Sequence, residues 1–359
     1  MEKYTNDHKI SVKSIEIEGQ NKANQILHKG QLIFANESKE AIFPPKVALK
    51  QVINYYTTQV KNASPKTKLP FVKSDFKKSF QSPVLAWLGH SSAFLAFRNF
   101  KILIDPLFTM HASPIKFINQ AFKQTHCFKA EDFGEVFAVL ITHSHFDHLD
   151  KKSILALKNK ATLFIAPLKV GQYLKKFGIE SERIAEFDWW QGALFECGKN
   201  ESVKIIATPS QHNSNRGDGF NKSLWASFVF EFSGKFGVKR LFWSADGGYA
   251  THFKKIGDLF GGFDLACLES GHFNKAWQSS HSFPEQIVKE AHDLNAKAVM
   301  SIHWARFKAG THGWNEPVKF LHSAFKELHL PYLTPKIGQL IELDKEFDES
   351  LKEKWWDEN

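Results

Sequence analysis

The chain has 359 residues, 43% of them hydrophobic and 14% aromatic, enough for one large domain or two small ones around a substantial core. Its net charge of +9, from 47 basic and 38 acidic residues, is spread without a run of like charges, which excludes a nucleic-acid arm and leaves open an anionic substrate or a membrane surface. Cys127, Cys197 and Cys267 form no C-x-x-C pair and no stretch of roughly 18 apolar residues could span a bilayer, so the expectation is a cytoplasmic protein, or one peripheral to a membrane.

Residues 1–80 are lysine-rich and weakly patterned, an N-terminal extension with one amphipathic helix expected at 46–60 and a breaker segment at 64–70. Short strands expected at 84–88, 93–97 and 101–104 then form a meander ending at Asp105-Pro106. Between Thr109 and Phe128, apolar Met110, Ile115, Phe117, Ile118, Phe122 and Phe128 are interleaved with Lys116 and Lys123. That pattern suits an amphipathic lid, a membrane-contacting segment, or a surface helix with its apolar side buried.

An apolar run at 136–141 leads into Thr142-His-Ser-His-Phe-Asp-His-Leu-Asp150. Neutral imidazole and carboxylate are the ligand set for zinc and similar divalent metals, and His143, His145, Asp147 and His148 crowd into six residues. In an extended chain His143, His145 and Asp147 would share one face, but Asp147 and His148 are adjacent and diverge unless the chain turns. A tight loop after a strand lets His143 and His145 share one ion while Asp147 and His148 face a second, as in a paired site that activates water. The bland alternative is a polar loop of solvated histidines, against which H-x-H-x-D-H is far more specific than H-x-H alone.

Beyond the loop, helices are expected at 152–159 and 168–177 around a strand at 161–166, then strands at 202–207, 224–232 and 239–243. Further strands are expected at 263–268 and 298–302, with a helix at 284–294 between them that has Pro284 at its first position. Such mixed order predicts a layered α/β domain. Three more ligand-type residues, His212, Asp246 and His303, follow apolar runs.

The loop joins Trp87-Leu-Gly-His-Ser-Ser92, Ile104-Asp-Pro-Leu-Phe108, Phe187-Asp-Trp-Trp-Gln191, Pro209-Ser-Gln-His212, Leu224-Trp-Ala-Ser227, Ala245-Asp-Gly-Gly-Tyr249, Ile302-His-Trp304 and Trp314-Asn-Glu-Pro317. In that order, over residues 80–345, the chain resembles the metallo-β-lactamase superfamily, and its Asp-Trp-Trp, Gln-His and His-Trp elements resemble the N-acylphosphatidylethanolamine-hydrolysing phospholipase D branch with its bacterial relatives. The resemblance implies an αββα sandwich at 81–345, two mixed sheets with helices on the outer faces, followed by a charged tail at 346–359. It also implies two divalent ions, zinc in the family. His143, His145 and His212 would hold one and Asp147, His148 and His303 the other, with Asp246 and a nucleophilic hydroxide bridging them.

The implied activity is a metal-dependent phosphodiesterase of the phospholipase D type, acting on an N-acyl phospholipid or related phosphodiester. Asp147 and His281 would be its catalytic residues. His281 opens His-Ser-Phe-Pro-Glu285 ahead of a helix, placed to protonate a leaving group or contact phosphate. His90 reads as support for a ligand, Arg216 as a loop clamp or anion contact, and His272 as a weaker substrate contact. Gly247 and Gly271-His-Phe273 depart from the branch's usual Asp-Thr-Gly-Tyr and Gly-Ala-Tyr or Gly-Gln-Tyr, the latter near the expected substrate pocket. Two rival readings keep the metals. One is a lactonase or other ester or sugar-phosphate hydrolase similar to ascorbate-6-phosphate lactonases, and the other is a catalytically inactive metal-binding interaction module. No nucleic-acid partner is expected, and the sequence does not disclose an oligomeric state.

Overall fold

Runs of β-branched and aromatic residues punctuated by Gly, Asn and Asp favour strands over most of the chain. A computed structural model describes residues 2–5, 8–38, 57–113, 115, 117–275, 277–308 and 310–357. Its strands are β1 Glu2–Thr5, β2 His8–Glu16, β3 Asn24–His28, β4 Gln31–Ala35, β5 Phe80–Trp87, β6 Ala93–Arg98, β7 Phe100–Ile104, β8 Val136–Leu140 and β9 Ala161–Pro167. They continue with β10 Ile184–Phe187, β11 Gln191–Gly198, β12 Glu201–Thr208, β13 Ser227–Gly234, β14 Gly237–Trp243, β15 Leu265–Glu269, β16 Val299–Ile302, β17 Tyr332–Leu333 and β18 Leu340–Glu342. The α-helices are α1 Lys151–Leu157, α2 Gly171–Lys176, α3 His252–Phe260, α4 Pro284–Asp293 and α5 Glu316–Glu327.

Two mixed sheets result, one in the order β1-β2-β11-β12-β13-β14-β15-β16-β17 and one in the order β10-β9-β8-β7-β6-β5-β18. Central strands β7, β8 and β15 are buried along their whole length, so both faces of each sheet are covered. Between the sheets Phe100 of β7 meets Phe195 of β11 at 4.9 Å, and Phe97 of β6 meets Phe232 of β13 edge-on at 6.3 Å. This is the expected αββα sandwich.

Strand direction places the functional loops. Antiparallel pairing of β5 with β6 and β6 with β7, then parallel pairing of β7 with β8, brings the C-terminal ends of β5, β7 and β8 to one edge. In the other sheet β12 runs antiparallel to β13 and β13 to β14, and β14, β15 and β16 are parallel, so β12, β14, β15 and β16 also end together. Every candidate ligand inferred from the sequence follows one of those ends.

Several elements differ from expectation. The strand expected at 224–232 starts at Ser227, because Leu224 and Ala226 donate backbone bonds to Leu168 and Thr142 in the loop layer instead of a neighbouring strand. No helix forms among the described residues of 109–128; bridges pairing His111 with Gln120 and Ala121 with Phe307 hold the segment, burying Phe122 and Phe128 and leaving Phe117 85% exposed. The helix expected at 46–60 lies, up to residue 56, outside the described residues.

Described residues before β5 and after position 345 also join the fold. β2 adds to the larger sheet beside β11, in a register that runs from Ser11 opposite Glu196 to Glu16 opposite Gln191. The acidic and basic residues after 345 surround Trp355 and Trp356, both buried, and Trp355 stacks at 5.1 Å on Trp304, the residue after His303. No helix among the described residues is long and apolar enough to cross a membrane.

His252 on α3 is buried with Nε2 lacking a hydrogen-bond partner, and burial lowers its pKa to about 3. The unfolded chain takes up this proton near pH 6.5 and the folded chain does not, so this histidine leaves stability unchanged above pH 6.5 and lowers it as pH falls from there towards about 3. Urea unfolding of wild type and His252→Phe should therefore diverge on acidification, wild type losing about 1.6 kcal/mol more between pH 6.5 and 5; parallel losses would contradict the assignment.

Candidate metal centre

The loop after β8 is shaped by a buried carboxylate. Asp105, directly after β7, accepts Thr142 N–H at 2.8 Å and the Thr142 hydroxyl at 2.7 Å, and its Oδ2 also accepts from His148 Nδ1 at 2.7 Å. His145 O receives the amides of His148 and Leu149, closing the turn that separates Asp147 from His148. Asp150 then caps α1 by accepting Ser153 N–H at 2.9 Å. Arg216 donates to Ser144 O at 2.8 Å and lies 4.4 Å over the Phe146 ring, so it clamps the loop from outside.

The other strand ends deliver His212, Asp246 and His303. Asn36 grips the His212 backbone twice, its Oδ1 accepting His212 N–H at 3.0 Å and its Nδ2 donating to His212 O at 2.9 Å. Its Oδ1 also accepts from the Trp225 indole at 3.1 Å. His90, Asp105, Ala245 and His303 all adopt positive φ, a conformation costing about 1–3 kcal/mol each in a residue with a Cβ and typical of functional sites. A Cβ on Gly271 would lie 1.9 Å from His303 O, so glycine alone permits this approach of the chain after β15.

These supports bring all seven inferred ligands together. His143 Nε2 lies 2.9 Å and His212 Nε2 3.3 Å from His145 Nδ1. Asp246 Oδ2 lies 3.2 Å from His148 Nε2 and 3.1 Å from His303 Nε2, and Asp147 Oδ2 lies 3.4 Å from His303 Nε2. One group is thus His143, His145 and His212; a second is Asp147, His148 and His303, joined by His90; Asp246 lies against members of both.

Hydrogen bonding settles which nitrogens are free. His148 Nδ1 donates to Asp105, His212 Nδ1 donates to Ser280 O at 3.0 Å, and the Thr142 hydroxyl, whose proton goes to Asp105, accepts from His143 Nδ1. With a metal bound, each of these rings would turn an Nε2 lone pair inward. His148 Nε2, His303 Nε2 and Asp246 Oδ1 are buried with no hydrogen-bond partner. Converging lone pairs and orphaned acceptors fit divalent cations.

The electrostatics agree. Burial holds His143 and His212 well below their ordinary value and His145 at about 4, keeping all three neutral. Burial works against ionisation of Asp147 and Asp246, but the neighbouring imidazoles, His148 first, hold both well below the usual carboxylate range. Burial likewise disfavours a proton on His148, yet Asp246, Asp147 and Asp105 outweigh it and push that group up. Without metal, protons balance the carboxylates.

Among the remaining inferred residues, His281 lies against His212 and Asp246, one ring nitrogen within 4.8 Å of their ligand atoms. His90 Nε2 donates to Asp147 at 3.0 Å as a support, and burial lowers its pKa to about 3. His272 stacks on His303 with ring centroids 5.6 Å apart. Sequence reasoning missed the roles of Asp105 and Asn36, although an acidic residue ending an apolar strand was a visible signal for Asp105.

Residues 101–304 match the beta-lactamase superfamily domain. Over 262 residues the chain is 31% identical to an uncharacterized protein of Mycobacterium tuberculosis, covering 72% of this chain and 68% of that one. It is 26% identical over 270 residues to the N-acyl-phosphatidylethanolamine-hydrolyzing phospholipase D 1 of Caenorhabditis elegans, covering 71% of this chain and 74% of the relative. In fold it is similar to a metallo hydrolase of the archaeon Ignicoccus hospitalis, with TM-score 0.52 and 18% identity over 72% of this chain and 97% of that one.

Asn36→Ala should leave the fold intact and weaken binding of a divalent metal roughly 10-fold, because His212 loses its backbone clamp. Competition with a chromophoric chelator measures this, and wild-type affinity would show that the N-terminal segment does not support the centre.

Proposed function

The chain belongs to the beta-lactamase superfamily as a metallo-hydrolase, and from that premise we propose that it is a dinuclear phosphodiesterase of the phospholipase D type, acting on an N-acyl phospholipid or related phosphodiester. The observation that carries this reading is the pair of ligand groups at one sheet edge with Asp246 lying against members of both, together with likeness to a phospholipase D that hydrolyses N-acyl-phosphatidylethanolamine. His143, His145 and His212 would hold one ion, and Asp147, His148 and His303 the other, zinc being suited to this nitrogen-rich set. Such ions supply activated water at neutral pH and neutralise the charge on phosphoryl oxygens.

The protein's own part is orientation and proton handling. Asp105 and Thr142 fix His143 and His148, Asn36 fixes His212, and His90 holds Asp147. Asp147, the more exposed of the two carboxylates at 26%, can contact substrate while it serves as a ligand. His281 is the group to give a proton to the departing alcohol oxygen.

A cavity of about 530 Å³ lies on the outer side of the metal loop, and none of the seven ligands lines it. Phe146, Leu149, Tyr173 and Phe177 line it, with Arg216, Lys151, Lys152 and Lys176. Exposed Phe117 and Ile115 on one loop, and Leu27 and Leu32 on the β3-β4 hairpin, fit contact with a membrane surface from which a phospholipid substrate would be taken.

Purified protein loaded with zinc should contain about two equivalents per chain and hydrolyse phosphodiesters from a panel of phospholipids, lactones and sugar phosphates. Asp147→Asn should lower turnover by about 100-fold or more with the fold intact. Hydrolysis of lactones alone would replace the phosphodiesterase reading, and stoichiometric metal without turnover on any panel member would remove the enzymatic one.

A further inference from the structure

Glu269 closes β15 on a strand buried along its whole length, and its side chain is 1% exposed. A carboxylate taken from water without partners is strongly destabilising, so its surroundings need an explanation. Three buried atoms near it have no hydrogen-bond partner: Glu269 Oε2, His281 Nδ1 and His303 Nδ1. They are left for one another. His281 Nδ1 lies 3.3 Å from Glu269 Oε2, and His303 Nδ1 lies 3.7 Å from Glu269 Oε1, which also accepts the His272 amide at 3.1 Å.

The scaffold holds this arrangement from both sides. Ser244 Oγ accepts the Glu269 amide at 2.9 Å, tying the end of β15 to the end of β14, and Ser270 donates to Ile302 O across to β16. The close approach of Gly271 to His303 O keeps the two strand ends in register. His281 and His303 therefore face one carboxylate from two different segments.

We propose that Glu269 is a positioning residue that sets the tautomer and ring orientation of His303 and His281 together. Each ring carries its proton on Nδ1 and turns it toward Glu269, at 3.3 Å from His281 and at 3.7 Å from His303, the latter an electrostatic contact longer than a hydrogen bond. For His303 this leaves the Nε2 lone pair directed at the space beside Asp147 and Asp246, as a ligand requires. For His281 it leaves Nε2 as the nitrogen that meets substrate, and the ring delivers a proton from its doubly protonated form, Nδ1–H staying with Glu269 while Nε2–H passes to the departing oxygen and the ring returns to the Nδ1–H tautomer. One carboxylate thus couples metal holding to proton delivery, and the His281 half of this assignment rests on the hydrolase reading above, whereas the His303 half rests on the metal centre alone.

The test uses the full chain as wild type, Glu269→Gln and Glu269→Asp. Chelator competition should show Glu269→Gln losing about 10- to 100-fold in affinity for one of two zinc equivalents, the other staying within about threefold, and Glu269→Asp recovering most of the loss. Cobalt(II)-substituted Glu269→Gln should show an altered visible spectrum, and its turnover should fall through kcat with KM little changed. Wild-type affinity and an unchanged cobalt spectrum in both variants would overturn the assignment. Should Glu269→Gln fail to fold, nitrogen-15 spectra of histidine-labelled wild type decide: protons on Nδ1 of His281 and His303 support the proposal, and an Nε2-protonated neutral ring at either overturns it. If the metal and tautomer results come out as expected while no phosphodiester is cleaved, the hydrolytic reading fails and the positioning role of Glu269 stands.

Discussion

Five imidazoles and two carboxylates converge at one edge of the sandwich, and most of them are fully buried. Facing lone pairs repel in a low-dielectric interior unless positive charge lies between them. That constraint organises the molecule. His143, His148 and His212 each present Nε2 inward because their Nδ1 protons go to Thr142, Asp105 and Ser280. The strained conformations at His90, Asp105, Ala245 and His303 gather at the same edge, where many surrounding bonds hold each one.

Ligands alone do not make such a centre; the groups behind them do. Asp105 fastens the loop after β8 to the end of β7, Asn36 fastens His212 to the N-terminal segment, and Trp355 stacks behind the strand that carries His303. These supports come from sequence positions as far apart as 36 and 355. The larger sheet is long because β1 and β2 extend it on one side and β17 on the other.

Legibility in the sequence followed the range of the interaction. His143, His145, Asp147 and His148 were readable because their spacing within one turn encodes the geometry. His212, Asp246 and His303 were readable because each follows an apolar run that became a strand, and resemblance to a known family assigned their grouping. Asn36 was not readable, since its two bonds to His212 span 176 positions. Nor was Glu269, whose partners arrive from a later loop and a later strand. β2 escaped because its outer residues are polar and exposed, and its pairing with β11 gives no local signal. The 109–128 segment, whose apolar spacing suited a lid, a membrane-contacting segment or a helix with its apolar side buried, forms no helix among its described residues, and Phe122 and Phe128 pack into a layer of irregular chain.

The central claim is that the seven side chains hold two ions that share Asp246. X-ray anomalous scattering from crystals of zinc-loaded protein, measured on both sides of the zinc edge, tests it directly. The account predicts two peaks per chain, one within reach of His143, His145 and His212 and one within reach of Asp147, His148 and His303, with Asp246 between them. A single peak, or a second peak held away from Asp246, would contradict it.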